Sequence, residues 1–223
     1  MSGTPADAAA RAIPASTHGR YLVRPAPAGP RGLLVGLHGY AENADIQLGR
    51  LAGIPGAEAW TLVSIQGLHR FYRREAIAAS WMTREDRELA IADNVAYVGT
   101  VLAAVRLEWP DPGGLVFVGF SQGVAMAFRA ACAGTGADAV VALGGDVPPE
   151  LAPEALRRIR HVFLARGDAD PWYSDRQFAA DQVRLRNAGA DLTSYTFEGD
   201  HAWTPAFSEV VGHFLHRLGR PGH

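Results

Sequence analysis

The sequence predicts an α/β fold: a mostly parallel central sheet, helices on both of its faces, and no large lid. Three observations carry that expectation. Strand-like and helix-like segments alternate along the chain, as they do when crossover helices join parallel strands. Two short runs, Gly32 to Leu37 and Leu115 to Phe120, contain no polar side chain, which suits strands buried on both faces. Between the second run and an Ala-rich apolar stretch, Val124 to Cys132, lies Gly119-Phe120-Ser121-Gln122-Gly123, a tight strand-to-helix turn that presents one serine.

Taken in order, residues 1–18 are rich in Ala, Ser, Thr and Pro without a period and are expected to form a flexible arm; residues 19–223 are expected to form one domain. Tyr21 to Val23 reads as an edge strand and Pro25 to Pro30 as a turn-rich connection. Gly32 to Leu37 ends at His38-Gly39. Asn43 to Leu51 reads as a short helix capped by Asn43, and Trp60 to Ile65 as the next strand. Gln66 to Met82 has no clean period and is expected to be a substrate loop after a strand end, where open α/β sheets bind ligands. A long helix follows, with Thr83 as cap, Glu85 and Asp86 in its first turn, and Ile91, Val95, Val98, Leu102 and Val105 at spacings of four and three. Pro110 and Pro112 are expected to end it. Beyond the serine turn, Ala137 to Leu143, His161 to Ala165 and Leu192 to Phe197 read as strands. Ser174 to Asn187, stopped by Gly189, and Pro205 to Leu218 read as helices.

Composition narrows the function classes. With 21 basic and 23 acidic residues the formal charge is −2, which argues against a nucleic-acid partner. Every basic residue is arginine, since the chain contains no lysine, so lysine Schiff-base chemistry is excluded. No run approaches the roughly 18 apolar residues that span a bilayer, and no basic start followed by an apolar core reads as a signal peptide; a cytoplasmic location is the default expectation. Cys132 is the single cysteine, which rules out an intrachain disulfide and a cysteine-rich zinc site. His213 and His216 stand one turn apart among Val210, Val211, Phe214 and Leu218, a packing helix without a carboxylate to complete a metal site. His18, His69, His161 and His223 show no ligand spacing, and Gly144-Gly145 lacks the lysine of a phosphate-binding loop. No metal and no cofactor are expected.

A serine hydroxyl is a weak nucleophile, so Ser121 needs a histidine base and an acid that fixes the histidine tautomer. Gly167-Asp168-Ala169-Asp170-Pro171 follows one strand and Gly199-Asp200-His201 follows another. Both blocks therefore fall at the sheet edge that carries Ser121. Acyl transfer also needs two donors for the developing oxyanion; one is the N–H of the residue after the nucleophile, Gln122, which also starts a helix.

Four blocks, Leu37-His38-Gly39-Tyr40, Gly119 to Gly123, Gly167 to Pro171 and Gly199 to His201, with Ser80-Trp81 as a weaker signature, resemble the phospholipase/carboxylesterase branch of the α/β-hydrolases, which includes acyl-protein thioesterases. They span nearly the whole domain. The resemblance implies an α/β-hydrolase fold, the serine, acid, histidine order found here, Asp170 as the acid, His201 as the base and the N–H of Tyr40 as the second oxyanion donor. Asp168 is the rival acid, with turn formation as its other role. Asp200, adjacent to His201, reads as loop-shaping, and His38 as a buttress of the oxyanion loop or a second base. The implied activity is hydrolysis of a small-molecule carboxylic ester, with thioesters and lysophospholipids as variants, by a monomer or homodimer. A non-catalytic binding protein of the same fold and a dienelactone-hydrolase-like enzyme, which would want a cysteine nucleophile, are the alternatives.

The chain departs from the family pattern after the His-Gly pair, where it reads Tyr40-Ala41-Glu42-Asn43, and in the segment Gln66 to Met82, which bears Arg70, Arg73 and Arg74 beside Phe71, Tyr72 and Trp81. His38, Phe71, Tyr72, Trp81 and Trp203 are expected near substrate. The arginines either meet an anionic substrate or form a solvated face. Trp203 either walls the leaving-group site or anchors the last helix.

Overall fold

The computed structural model describes residues 8–27, 29–109 and 113–218. The expectations for residues 1–7, for Pro110 and Pro112 as helix stops and for His223 lie outside them. Among the described residues, seven strands form the main sheet: β1 (Tyr21–Arg24), β2 (Gly32–Leu37), β3 (Thr61–Ile65), β6 (Gly114–Phe120), β7 (Ala139–Leu143), β8 (His161–Gly167) and β9 (Asp191–Phe197). Their spatial order is β1-β3-β2-β6-β7-β8-β9. Only β1 is antiparallel to its neighbour; every other pairing is parallel. Alternate residues feed two cores, as the period of two requires. Leu33, Val35, Leu115 and Phe117 face one, whereas Leu34, Val116, Val118 and Phe120 face the other.

The first core is closed by α2 (Arg87–Glu108), α3 (Gln122–Cys132) and α5 (Asp175–Asn187), the second by α1 (Ala44–Ala52) and α6 (Pro205–Leu218). A short helix, α4 (Pro153–Leu156), joins β7 to β8. Caps explain several boundaries. Asn43 accepts from the Ile46 N–H at 3.1 Å at the start of α1, and Ser174 forms a reciprocal capping box with Gln177 ahead of α5. α2 alone among the described helices is long and apolar enough, by length and composition, to cross a membrane. Its Ile91, Val98, Leu102 and Val105 are nevertheless buried, the packing of a layer helix.

Two local expectations are corrected. Thr83 does not cap α2: its hydroxyl donates to Glu85 O, the helix begins at Arg87, and the residue before it, Asp86, has φ 48° and makes no side-chain cap. Gln66 to Met82 is no loop but carries a hairpin, β4 (His69–Arg73) and β5 (Ala76–Ser80). Its turn has no Gly, Asn or Pro to announce it, because Arg74 takes the left-handed φ of 57°. The exposed β4 strand shows no apolar alternation.

Register aligns the functional loops. Leu37 pairs with Gly119, Phe120 with Leu143, Leu143 with Ala165, and Gly167 with Phe197. The segments after β2, β6, β7, β8 and β9 thus emerge along one edge. The chain reverses its direction across the sheet between β2 and β6, the topological switch point at which such sheets bind ligands.

Candidate active site

Ser121 sits between β6 and α3 with φ 52° and ψ −121°, a left-handed conformation that costs a residue with a Cβ about 1–3 kcal/mol and clusters at functional sites. The turn closes only because its flanks lack side chains. A Cβ on Gly123 would lie 2.1 Å from Leu37 O and 2.7 Å from His38 O. The serine turn and the end of β2 are therefore pressed together at the switch point.

Of the two acid candidates, Asp170 is the one that reaches His201. Its Oδ2 lies 2.8 Å from His201 Nδ1, with the Asp170 side chain 1% exposed. Its Oδ1 accepts from the N–H groups of Trp172 (2.8 Å) and Tyr173 (3.0 Å), so the carboxylate is fixed from both sides. A carboxylate partner at Nδ1 requires the histidine proton there and leaves Nε2 as an acceptor. The His201 ring packs 5.0 Å from the Phe120 ring. Asp168 instead accepts from the Gly199 N–H at 2.9 Å, stapling the loop after β8 to the loop after β9, and Asp200 is exposed. Tyr173 is held from behind, its hydroxyl donating to Asp181 at 2.9 Å. Burial pushes the Asp181 carboxyl above the usual carboxylate range.

Ser121, His201, Phe120 and Tyr40 line one cavity of about 810 Å³. The Ser121 hydroxyl has no hydrogen-bond partner among the described residues. The Tyr40 and Gln122 N–H groups are likewise without an acceptor among the described residues, whereas their neighbours are engaged. The Gly39 N–H donates to Glu42 at 2.8 Å and the Ala41 N–H to Ala79 O at 3.0 Å. Glu42 is in turn gripped by both guanidinium nitrogens of Arg50, at 2.6 and 2.7 Å, and Arg50 lies 4.5 Å over the Phe120 ring. The Gln122 side chain accepts from Trp81 N–H at 2.9 Å, tying the start of α3 to the base of the hairpin.

Four side chains expected at the substrate stand elsewhere. His38 is fully buried. Its Nε2 accepts from the Gly67 N–H at 3.0 Å, which assigns the proton to Nδ1 for donation to Gly39 O at 2.7 Å. Burial lowers its pKa, against a smaller raising by Gly39, so it is a neutral buttress with neither nitrogen free for substrate or base catalysis. Trp81 is also fully buried and donates to His38 O at 2.8 Å. Trp203 donates to Ser208 Oγ at 2.9 Å and packs its ring on Phe207, anchoring α6. Tyr72 is 79% exposed on the hairpin and lines neither of the two cavities that border the hairpin. Phe71 does line the cavity, stacked at 5.6 Å on Tyr40.

Sequence reasoning missed Trp172 and Glu42 in the cavity wall and Gly144 behind it; of the three arginines with two possible roles, Arg73 lines this cavity. Trp172 directly follows the Asp-Pro pair, a signal that was readable. Gly144, at φ 65°, leaves room for the acid and base: a Cβ there would lie 3.0 Å from the His201 ring and 3.2 Å from Asp170 Oδ2. Asn94, a polar residue on the apolar face of α2, was equally legible. It donates to Trp81 O and accepts from the Leu68 N–H, pinning both ends of the hairpin.

No protein-family profile matches the sequence, and no curated protein matches it. Among solved structures, the chain is similar to a carboxylesterase of Bacillus cereus, with a TM-score of 0.75, 18% identity and coverage of 90% of this chain and 94% of that one. It is similar also to acyl-protein thioesterase 2 of Zea mays, with a TM-score of 0.70, 20% identity and coverage of 91% and 100%. Esterase PE8 is a third, with a TM-score of 0.69, 22% identity and coverage of 90% and 98%. At these identities the likeness shows the fold: a mostly parallel sheet flanked by helices, without a large lid, as in α/β-hydrolases.

Proposed function

We propose that this α/β-hydrolase-fold chain is a serine hydrolase that cleaves carboxylic esters through an acyl-enzyme on Ser121. The observation that carries the reading is the 2.8 Å contact between Asp170 and His201, beside a strained serine in the same cavity. His201 Nε2 takes the Ser121 proton while Oγ bonds to the acyl carbon and the carbonyl electrons move onto oxygen. The Tyr40 and Gln122 amides hold that oxyanion, at about 3 kcal/mol per donor in sites of this type. The carbon–oxygen bond to the alcohol then breaks, and the alcohol leaves with the proton from His201. Water repeats the steps on the acyl-enzyme, releasing the acid and restoring Ser121.

The esterase and thioesterase names of the solved neighbours support the same class. A cysteine-nucleophile reading finds no support, because the Cys132 thiol is buried in α3 and pushed up to about 11 by that burial, which keeps it protonated. The test is hydrolysis of p-nitrophenyl esters of graded chain length, with Ser121→Ala as the control. Turnover that depends on Ser121 is expected. Absence of hydrolysis sinks the reading and leaves a binding protein of this fold, and equal hydrolysis by the variant sinks Ser121 as the nucleophile.

A further inference from the structure

The spaces around Ser121 divide by what His201 can reach. A base that returns its proton to the leaving alcohol must stand on the alcohol side, so the cavity lined by His201 takes the alcohol. The acyl group belongs in the spaces that Gln122 borders and His201 does not. There are two of these in the described structure: one of about 690 Å³ beyond the Tyr40 and Phe71 stack, and one of about 230 Å³ that also touches Ser121. They share Met82, Arg87 and Gln122.

Their charge is one-sided. Arg70, Arg84 and Arg87 line the larger space together with His69, and no carboxylate does. Arg87 and Arg129 line the smaller one, against the exposed Asp146. Existing partners leave much of this charge uncommitted. Arg84 has no ion pair among the described residues, while Arg87 pairs with Glu88 in the open and also acts on the Glu150 carboxyl that Arg129 holds; water and salt make such exposed contacts weak. Arg70 donates to the His18 carbonyl, a neutral group. Arg129 is held by Glu150 at 2.6 Å, yet its other terminal nitrogen is buried without a partner. Arginine forks match carboxylates in shape as well as charge.

We infer, resting on the ester-hydrolase reading above, that the acyl group carries a carboxylate of its own at its far end, bound by Arg84 and Arg87. The substrate class is the half-ester of a dicarboxylic acid, and the product is the free dicarboxylate. The arginines of the hairpin and of the start of α2 thereby acquire distinct roles. Arg87 faces both acyl-side spaces, while Arg73 lines the alcohol-side cavity and Arg74 lines none of the three.

The test compares the p-nitrophenyl half-esters of adipic and suberic acid with the hexanoate and octanoate esters of matching length. At low salt the half-esters are expected to have kcat/KM about tenfold higher, the worth of one charge-assisted hydrogen bond. Added sodium chloride is expected to shrink that preference, because exposed charges are screened beyond about 10 Å at 0.1 M. The Arg84→Gln/Arg87→Gln double variant is expected to lose the preference, and Arg74→Asn at the hairpin turn to keep it. Equal or better use of the neutral esters by the unmodified protein, or a preference that survives in the double variant, overturns the inference. The salt titration on the unmodified protein tests it without any substitution. If neither ester type is hydrolysed in a Ser121-dependent way, the ester-hydrolase reading itself fails and the inference with it. Ser121-dependent hydrolysis of the neutral esters without the preference sinks the inference alone.

Discussion

Gly144→Ala should separate stability from catalysis at a position two steps removed from the nucleophile. The backbone there has φ 65°, and a left-handed residue with a Cβ costs about 1–2 kcal/mol. For a chain of this size, that lowers Tm by about 2–8 °C. The new methyl would lie 3.0 Å from His201 Cε1 and Nδ1 and 3.2 Å from Asp170 Oδ2, against a carbon–carbon optimum of about 3.5–4.0 Å. The base or the acid must therefore shift by about half an ångström. Since misplacement of reacting groups by about 1 Å can cost about a hundredfold, half that displacement implies a loss of about tenfold in kcat/KM. The assay pairs a thermal melt with steady-state hydrolysis of p-nitrophenyl butyrate. A variant that melts lower yet keeps full kcat/KM refutes the claim that Gly144 reserves space for the acid and base. A variant unchanged in both refutes the geometry on which the claim stands.

Asp170→Asn is expected to reduce kcat by about four orders of magnitude through the wrong imidazole tautomer. Asp168→Asn is expected to keep turnover and lower Tm, because only the staple to Gly199 is affected; kinetics and melts of both variants distinguish the two roles. Glu42→Gln weakens the grip of Arg50 and the hold on the Gly39 amide, so kcat should fall about tenfold or more with KM nearly constant, the signature of a lost transition-state contact. His38 supplies a pH dependence. Its folded pKa lies below the ordinary 6.5, so its contribution to stability is present above pH 6.5 and is lost as pH falls toward the folded value. Urea melts between pH 7.5 and 5 should show stability declining over that window, and His38→Gln should flatten the slope.

What the chain made legible follows from how locally each feature is encoded. Leu33 to Leu37 and Leu115 to Phe120 are buried on both faces, so their burial is written directly as unbroken apolar sequence. Asn43 and Ser174 cap through their own side chains and were equally readable. Ser121, Asp170 and His201 lie more than thirty residues apart in successive steps, yet the strand ends preceding them predicted one shared edge. The hairpin at His69 to Ser80 left no such trace, because both faces of β4 meet solvent and Arg74 holds the turn that glycine or asparagine usually marks. Whether an aromatic meets ligand or core depends on tertiary packing, which is why Trp81 and Trp172 exchange the roles that composition suggests. Gly144 belongs to the same class, since the sequence states that it lacks a side chain but not what fills that space.

The hairpin is anchored mainly along β5 and at its base: the Ala41 and Glu42 backbone against Ala79, the Asn43 side chain on Ile77 O, the side chains of His38 and Asn94, and Gln122 on Trp81, with Phe71 on Tyr40 and Arg70 on the His18 carbonyl as the contacts of β4. Residues 67–82 thus form a single contiguous module whose inner anchors are separate from its outward-facing side chains. Substrate preference can then be rewritten by exchanging the residues of that module at its tip and outer face while His38, Asn94 and Gln122 stay fixed. Divergence within such a chain has a low-cost route, since a new wall can be tried without disturbing Ser121, Asp170 and His201.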